Sequence, residues 1–298
     1  MPIILQYHEI RGLAAPVRMM FEYAGVRYEN KFADNWFNVD KPKVKELNAL
    51  ANLPTLFDED GTIVTQSCAV FHYVGEKLRL NGSSDAERSR VDQIVCQVQD
   101  WRNAVAKMAY SKRTADTVDK FLERIVSHYK KLEGVFQRSG YIYSAANRPT
   151  TGDFHLFEML DQNEQLTRAT GYDSLVTQYP LLYSFYTRFL SLPTLQAYFD
   201  GPLYKLPINN PTYAWFAGDE YPLKPVEGEV PDDQITVGYW KIRGLAAPLR
   251  MMCVFAGANF KSVEHEGSHS KSEGFDYSAW HTKAKPALVE KNRLMNLP

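Results

Sequence analysis

The stretch IILQYHEIRGLAAPVRMMFEYAG, residues 3–25, decides how this chain folds. It begins with a short apolar strand over residues 3–7, and Gly12 then marks the turn into a helix. Apolar side chains recur at the spacing of one helical face, at Val17, Met20, Phe21 and Ala24. Gly25 suits a left-handed helix cap, and the strand-like RYENKF follows it, so the pattern predicts a β-α-β unit.

The same stretch recurs later in the chain. Residues 235–257 read ITVGYWKIRGLAAPLRMMCVFAG and match residues 3–25 at 14 of 23 positions without a gap. After 12 extra residues, Trp36, Lys41, Pro42, Asn52, Leu53 and Pro54 find matches in Trp280, Lys285, Pro286, Asn296, Leu297 and Pro298. We therefore expect residues 234–298 to be a partial repeat, which belongs to a longer tandem chain or is completed by a partner.

Between the copies the pattern changes from mixed strand and helix to helix alone. LPTLFDEDGTIVTQ predicts a β-hairpin with Asp-Gly in its turn, and Ser67 is expected to cap a helix that ends near Gly82. Long helices are predicted over residues 85–110 and 114–138. Thr150 and Asp153 form a capping-box-like start to a central helix. Two further helices separated by a proline and a Pro-rich linker, residues 221–233, complete the series.

Composition excludes several classes of protein. With 45% hydrophobic and 23% charged residues and a net charge of −1, no basic surface indicates nucleic acid. No apolar run is long enough for a membrane span, and the N-terminus does not resemble a secretory signal. Cys68, Cys96 and Cys253 form no CxxC motif, which predicts a reduced, cytoplasmic setting.

Several spaced motifs together resemble the glutathione S-transferase family, most nearly its mu and sigma classes. They are Y-x-x-x-R-G-L, N-L-P before the hairpin, Q-S at the next helix, Thr-x-x-Asp, and the tail PLYKLPINNPTYAWFAG. The resemblance implies α/β plus all-α architecture. Its parts would be a thioredoxin-like domain over residues 1–82, an all-helical domain over residues 85–220, the linker, and a partial second thioredoxin-like unit over residues 234–298.

The resemblance also implies a site. Tyr7 would hydrogen-bond the glutathione sulfur, and Tyr110 would face the electrophile. Glutathione contacts are implied for Leu13, Trp36, Lys41, Asn52, Leu53, Pro54, Gln66, Ser67 and Asp100. Pro54 would follow a cis peptide bond, and Asp100 would reach the glutathione of a partner subunit, which implies a homodimer. Glutathione is a substrate here, and no metal is expected.

Two features depart from this pattern or compete with it. His8 stands where mu enzymes carry tryptophan, whereas the second copy has Trp240, so the choice between mu and sigma stays open. His265-Glu266-Gly267-Ser268-His269 spells H-E-x-x-H, a zinc-protease motif that requires a helix. The run is rich in glycine and serine, which favours a solvated loop.

Two functions remain in competition. The first is a detoxifying transferase that conjugates glutathione to hydrophobic electrophiles, or a sigma-like isomerase that uses the same site. The second is a non-catalytic scaffold subunit of a larger assembly, since a fold does not fix a function. The identity of the electrophile is not encoded in any motif.

Overall fold

A computed structural model describes residues 2–33, 35–226, 235–270 and 274–289. The contacts divide the chain into two compact units, residues 1–226 and residues 227–298. The boundary falls inside the predicted linker, of which residues 227–233 lie outside the described part. No helix among the described residues is both long and apolar enough to cross a membrane.

The first unit begins with a sheet and its flanking helices. The strands are β1 (Ile4–Tyr7), β2 (Glu29–Phe32), β3 (Thr55–Phe57) and β4 (Ile63–Thr65). The helices are α1 (Ala15–Ala24), α2 (Lys41–Leu47) and α3 (Ser67–Lys77), with a π-helical turn at Trp36–Asp40. Within the described residues the strand order is β2-β1-β3-β4, with β1 parallel to β2 and antiparallel to β3. This is a thioredoxin-like sheet, as the sequence predicts.

Local signals explain most of these boundaries. Gly25 has φ +66° and caps α1 in the left-handed conformation, which confirms the prediction. The Asp-Gly turn also forms, with Gly61 at φ +89° between β3 and β4. The predicted cap at Ser67 is wrong: Ser67 is the first residue of α3, Gln66 precedes the helix, and no side-chain cap bond forms there.

The rest of the first unit is helical. Its helices are α4 (Asp85–Ala109), α5 (Thr117–Ser139), α6 (Thr151–Thr170), α7 (Pro180–Leu190) and α8 (Gln196–Asp200). Helix α6 lies at the centre and is buried along most of its length. Its start is the predicted capping box, because the Asp153 carboxylate accepts hydrogen bonds from the Thr150 N–H at 2.8 Å and from the Thr150 hydroxyl at 2.7 Å.

The second unit repeats the β-α-β arrangement of the first. It contains β5 (Ile235–Trp240), α9 (Ala246–Phe255), β6 (Phe260–His265), β7 (Ser268–Ser270), β8 (Gly274–Asp276) and α10 (Lys285–Val289). β5 and β6 are parallel and pair Thr236 with Lys261, just as β1 and β2 pair Ile4 with Glu29. The extra residues of this copy include the antiparallel pair β7 and β8.

The tryptophan and lysine of the repeat also keep their places. Trp280 is buried and is the second residue of a π-helical turn, Ala279–Ala284, that runs into Lys285 at the start of α10. Trp36 and Lys41 have the same relation in the first unit. The matching residues Asn296, Leu297 and Pro298 lie outside the described part of the chain.

Candidate functional site

One edge of the first unit's sheet gathers the ends of several strands. Parallel β1 and β2 both end there, at Tyr7 and Phe32. Antiparallel β3 begins there at Thr55, and β4 ends there at Thr65. The edge therefore brings together Tyr7, Leu53, Pro54, Gln66 and Ser67, all of them predicted site residues.

Tyr7 is held at this edge by the loop that follows it. Its side chain is buried, and its hydroxyl oxygen accepts a hydrogen bond from the Leu13 N–H at 3.1 Å. Gly12 adopts φ +41°, and a Cβ atom there would lie 2.8 Å from the Tyr7 ring and hydroxyl. Glycine is thus required for the loop to close over the phenol.

The Asn-Leu-Pro segment leads into β3 along the same edge. The Leu53–Pro54 peptide bond is cis, as the sequence predicts. The Leu53 N–H is bonded to the Asn52 side-chain oxygen at 2.9 Å, and the Asn52 carbonyl accepts the Thr55 hydroxyl at 2.7 Å. The segment's own side chains therefore fix the backbone just before the strand.

Gln66 and Ser67 mark the start of helix α3. Gln66 has φ +72°, an uncommon conformation for a residue other than glycine, and its side chain is exposed. The first backbone N–H groups of α3 lack partners within the helix and point out from its N-terminus. Such a terminus favours a carboxylate.

Trp36 and Lys41 follow β2, which ends at the same edge. Trp36 is buried and anchors the π-helical turn. The Lys41 ammonium lies 5.9 Å from the ring centre of exposed Phe37, so it remains near the surface.

Asp100 lies within α4 and Tyr110 directly follows it, but the two side chains have different surroundings. The Tyr110 hydroxyl accepts a hydrogen bond from the Asn210 N–H at 2.9 Å. Partial burial raises the pKa of this phenol, and the nearby Tyr7 phenol contributes in the same direction. Asp100 is exposed and lines a groove between α4 and α5. Burial raises the pKa of the Cys68 thiol beside Ser67, and the charge of Asp100 adds to that shift.

A cleft of about 540 Å³ opens beside His8–Ile10, in the loop that follows Tyr7. His8, Ile10 and Ala33 form one wall, and Asn210 and Tyr221 of the C-terminal tail contribute to the other. Burial lowers the pKa of the His8 imidazole, although a hydrogen bond to the Ala33 backbone opposes the shift. The cleft therefore offers both apolar and polar contacts to a small molecule.

Arg11 is a positioning residue whose role no sequence motif indicates. Arg11 is buried, and its guanidinium donates to Glu158 at 3.1 and 2.7 Å while also pairing with Asp161 at 2.7 Å. Its backbone N–H donates to the Pro207 carbonyl at 2.8 Å. The loop that holds Tyr7 is thus tied to α6 and to the tail. The one sequence feature that could have indicated this role is that the repeat keeps the arginine, as Arg243.

The H-E-x-x-H run is extended rather than helical. His265 ends β6, and Ser268 begins β7, so strands flank Glu266 and Gly267 in place of the predicted loop. Histidines four apart share a helical face, but an extended chain separates them. Among the described residues no group of three or more His, Cys, Asp or Glu could hold a metal ion.

Comparison with known proteins identifies the architecture. Residues 13–77 match the glutathione S-transferase N-terminal domain, and residues 99–201 match its C-terminal domain. Glutathione S-transferase Mu 1 of Oryctolagus cuniculus is 31% identical over 209 residues, which are 66% of this chain and 90% of that protein. This chain belongs to the glutathione S-transferase family.

Other similar proteins support the same family assignment. Glutathione S-transferase Mu 6 of Mus musculus is 32% identical over 208 residues, 66% of this chain and 90% of that one. The crystal structure of the glutathione S-transferase Blo t 8 has the same fold, with a TM-score of 0.61, 23% identity and coverage of 72% of this chain and 99% of that one. The relatives are mu-like, and the glutathione S-transferase domains leave the second unit unassigned because both matches end by residue 201.

Proposed function

We propose that this chain is a glutathione transferase that joins the glutathione thiolate to hydrophobic electrophiles, with Tyr7 as the residue that stabilises the thiolate. The observation that carries this proposal is the hydrogen bond from the Leu13 N–H to the Tyr7 hydroxyl oxygen, at 3.1 Å. Because the oxygen already accepts this bond, the hydroxyl hydrogen is available to donate to sulfur. Accepting a bond also polarises the O–H group and strengthens it as a donor.

The energy required is within reach of one such contact. An unperturbed thiol has a pKa of about 8.5, so little of it is ionised at neutral pH. Lowering that pKa by about two units requires roughly 2.7 kcal/mol of differential stabilisation. A hydrogen bond to a charged group supplies about 1.5–3 kcal/mol. The thiolate then attacks the electrophilic carbon, and with an aryl halide the halide leaves.

The rest of glutathione would lie along the same sheet edge. The γ-glutamyl carboxylate would meet Gln66, Ser67 and the N-terminus of α3. The Leu53 backbone would pair with the cysteine in the manner of an added strand, its N–H exchanging the present bond to the Asn52 side chain for one to glutathione. The remaining proposed contacts are Leu13, Trp36, Lys41, Asn52 and Pro54.

Tyr110 would act on the second substrate. Its oxygen, like that of Tyr7, accepts a backbone N–H, here that of Asn210, which leaves its hydrogen free to donate to negative charge that develops on the electrophile. The cleft lined by His8 and Ile10 would hold the electrophile. A sigma-like isomerase reaction would use the same groups.

We further propose a homodimer in which Asp100 contacts the glutathione of the other subunit. The exposure of Asp100 supports this assignment, because a partner could reach it. We also propose that residues 234–298 are a partial thioredoxin-like unit, an assignment supported by the shared register of β1–β2 and β5–β6.

The test compares wild-type protein with Tyr7→Phe and with Tyr239→Phe, the matching substitution in the second copy. Conjugation of an aryl halide should fall at least about tenfold in Tyr7→Phe, a loss of roughly 1.4 kcal/mol, while calorimetry still detects glutathione binding. The pH midpoint of its kcat/KM should also rise towards that of free glutathione. Tyr239→Phe should resemble wild type. Equal activity in all three proteins would refute the role of Tyr7.

The alternative function is a scaffold subunit without catalysis. The observation that favours it is the exposure of large apolar side chains in the second unit, among them Phe255, which is 96% exposed. If the folded wild-type chain neither conjugates nor binds glutathione, the scaffold is the better account.

A further inference from the structure

Helices α3 and α4 pack against each other, and one polar pair fixes their register. Residues 78–84 alone join the two helices, and a connection this short places consecutive helices antiparallel. His72 Nδ1 of α3 lies 3.2 Å from Asp92 Oδ1 of α4. One turn towards the N-terminus of α3 is therefore matched by one turn towards the C-terminus of α4.

A cysteine stands one turn from each member of this pair. Cys68 precedes His72 by four residues, and Cys96 follows Asp92 by four residues. Residues four apart lie on the same face of a helix, about 6 Å from each other along its axis. The antiparallel register therefore places Cys68 opposite Cys96.

The electrostatics of Cys68 agree with this placement. Burial raises the pKa of its thiol, and both Cys96 and Asp100, one turn further along α4, add to the shift. Both thiols are free, and Cys68 is half-buried whereas Cys96 is exposed. An oxidant in solution therefore reaches Cys96 first, with Cys68 beside it.

We propose that Cys68 and Cys96 form a reversible disulfide, which links α3 to α4 when the protein meets a peroxide. The Cys96 thiolate attacks the peroxide, the O–O bond breaks, and Cys96 becomes a sulfenic acid as one water is released. The Cys68 sulfur then attacks the Cys96 sulfur and forms the S–S bond. The hydroxide that leaves takes up the Cys68 proton, so two thiols are oxidised and one peroxide is reduced to two waters.

The bond would restrain the start of α3. This helix belongs to the sheet-containing part of the first unit, whereas α4 belongs to the helical part. A cross-link between them reduces the conformational entropy of the unfolded chain and so stabilises the folded one. Thiol reductants would break the bond again, which makes it transient in a reducing compartment. The proposal does not depend on Tyr7 or on glutathione binding.

The test treats the full chain with hydrogen peroxide and then digests it with trypsin without reduction. Cys68 and Cys96 lie in separate tryptic peptides, residues 46–77 and 91–102. Mass spectrometry should find these peptides joined with the loss of two hydrogen atoms, and dithiothreitol should separate them. Peroxide should also raise the thermal midpoint of wild type by about 5 °C, and should not raise that of Cys96→Ser.

Two variants control for the number and the placement of the thiols. Cys253→Ser removes the third cysteine of the chain and should keep the linked peptides. Cys96→Ser combined with Gln97→Cys restores the number of thiols, but residue 97 faces α5, where Gln97 Nε2 lies 2.8 Å from His128 Nδ1. This double variant should give no link.

Three results would overturn the proposal. The first is a wild-type chain in which the two peptides stay unlinked, or a link of equal yield in the double variant. The second is a covalent dimer on a non-reducing gel, since it would place the bond between two chains. The third is an unchanged thermal midpoint of the linked chain, since the bond would then restrain nothing.

Discussion

His155 makes the fold sensitive to acid. It lies in α6, is 1% exposed, and its ring centre is 4.9 Å from that of Phe71 in α3. Among the described residues neither ring nitrogen has a hydrogen-bond partner. Burial, assisted by the charge of Arg102, lowers the pKa of His155 from 6.5 to about 3.

The direction of the pH effect follows from this shift. The unfolded chain takes up a proton near pH 6.5, whereas the folded chain does so only near pH 3, so stability falls as the pH drops between these values. Between pH 7.5 and pH 4.5, His155 should reduce the free energy of unfolding by about 3 kcal/mol. Leucine has a similar volume and no proton to gain.

His155→Leu should therefore remove this loss. Urea unfolding of both proteins at pH 7.5 and pH 4.5 measures it, and the variant should exceed wild type at pH 4.5 by about 2–3 kcal/mol more than at pH 7.5. Burial raises the pKa of Asp153, which acts in the opposite direction, but equally in both proteins. The control is His281→Leu, which replaces an exposed histidine and should leave the pH dependence unchanged. An unchanged difference between the two pH values would refute the reasoning.

Three further substitutions test the loop, the packing and the cap. Gly12→Ala should reduce kcat/KM at least about tenfold, because its Cβ would lie 2.8 Å from the Tyr7 ring, and unchanged kinetics would contradict this. Gly75→Ala should lower the free energy of unfolding by about 1–3 kcal/mol, because its Cβ would lie 2.1 Å from the Thr151 hydroxyl; a thermal midpoint like that of wild type would count against it. Asp153→Ala should cost about 2–4 kcal/mol by removing the capping carboxylate, measured by urea unfolding, and a loss below about 0.5 kcal/mol would exclude that role.

The sequence predicted the elements whose signals are local. The β-α-β pattern of residues 3–32, the Gly25 cap and the Thr150–Asp153 capping box depend on neighbours in the chain, and each is found. The start of α3 was placed one residue late as a cap, because the positive φ of Gln66 has no signature in its side chain.

Features that depend on residues far apart in the chain could not be predicted from the sequence. Arg11 is charged, and its burial depends on Glu158, which lies 147 residues away in the chain. The β7–β8 pair was missed because SHS is polar and lacks the alternation typical of a strand. The gathering of Tyr7 and Gln66 at one sheet edge likewise depends on strand order, which no single motif encodes.

The two Arg-Met-Met segments differ in exposure: Met19 and Met20 are 0% exposed, whereas Met251 and Met252 are 62% and 65% exposed. The buried pair is therefore an internal control for oxidation of the exposed pair. A peroxide converts accessible methionines to sulfoxides and spares enclosed ones. Met251 and Met252 should therefore oxidise well before Met19 and Met20, although the residues beside them in the chain are alike. Oxidation would make α9 more polar, so Met251 and Met252 would record exposure to oxidants while Met19 and Met20 stay unmodified.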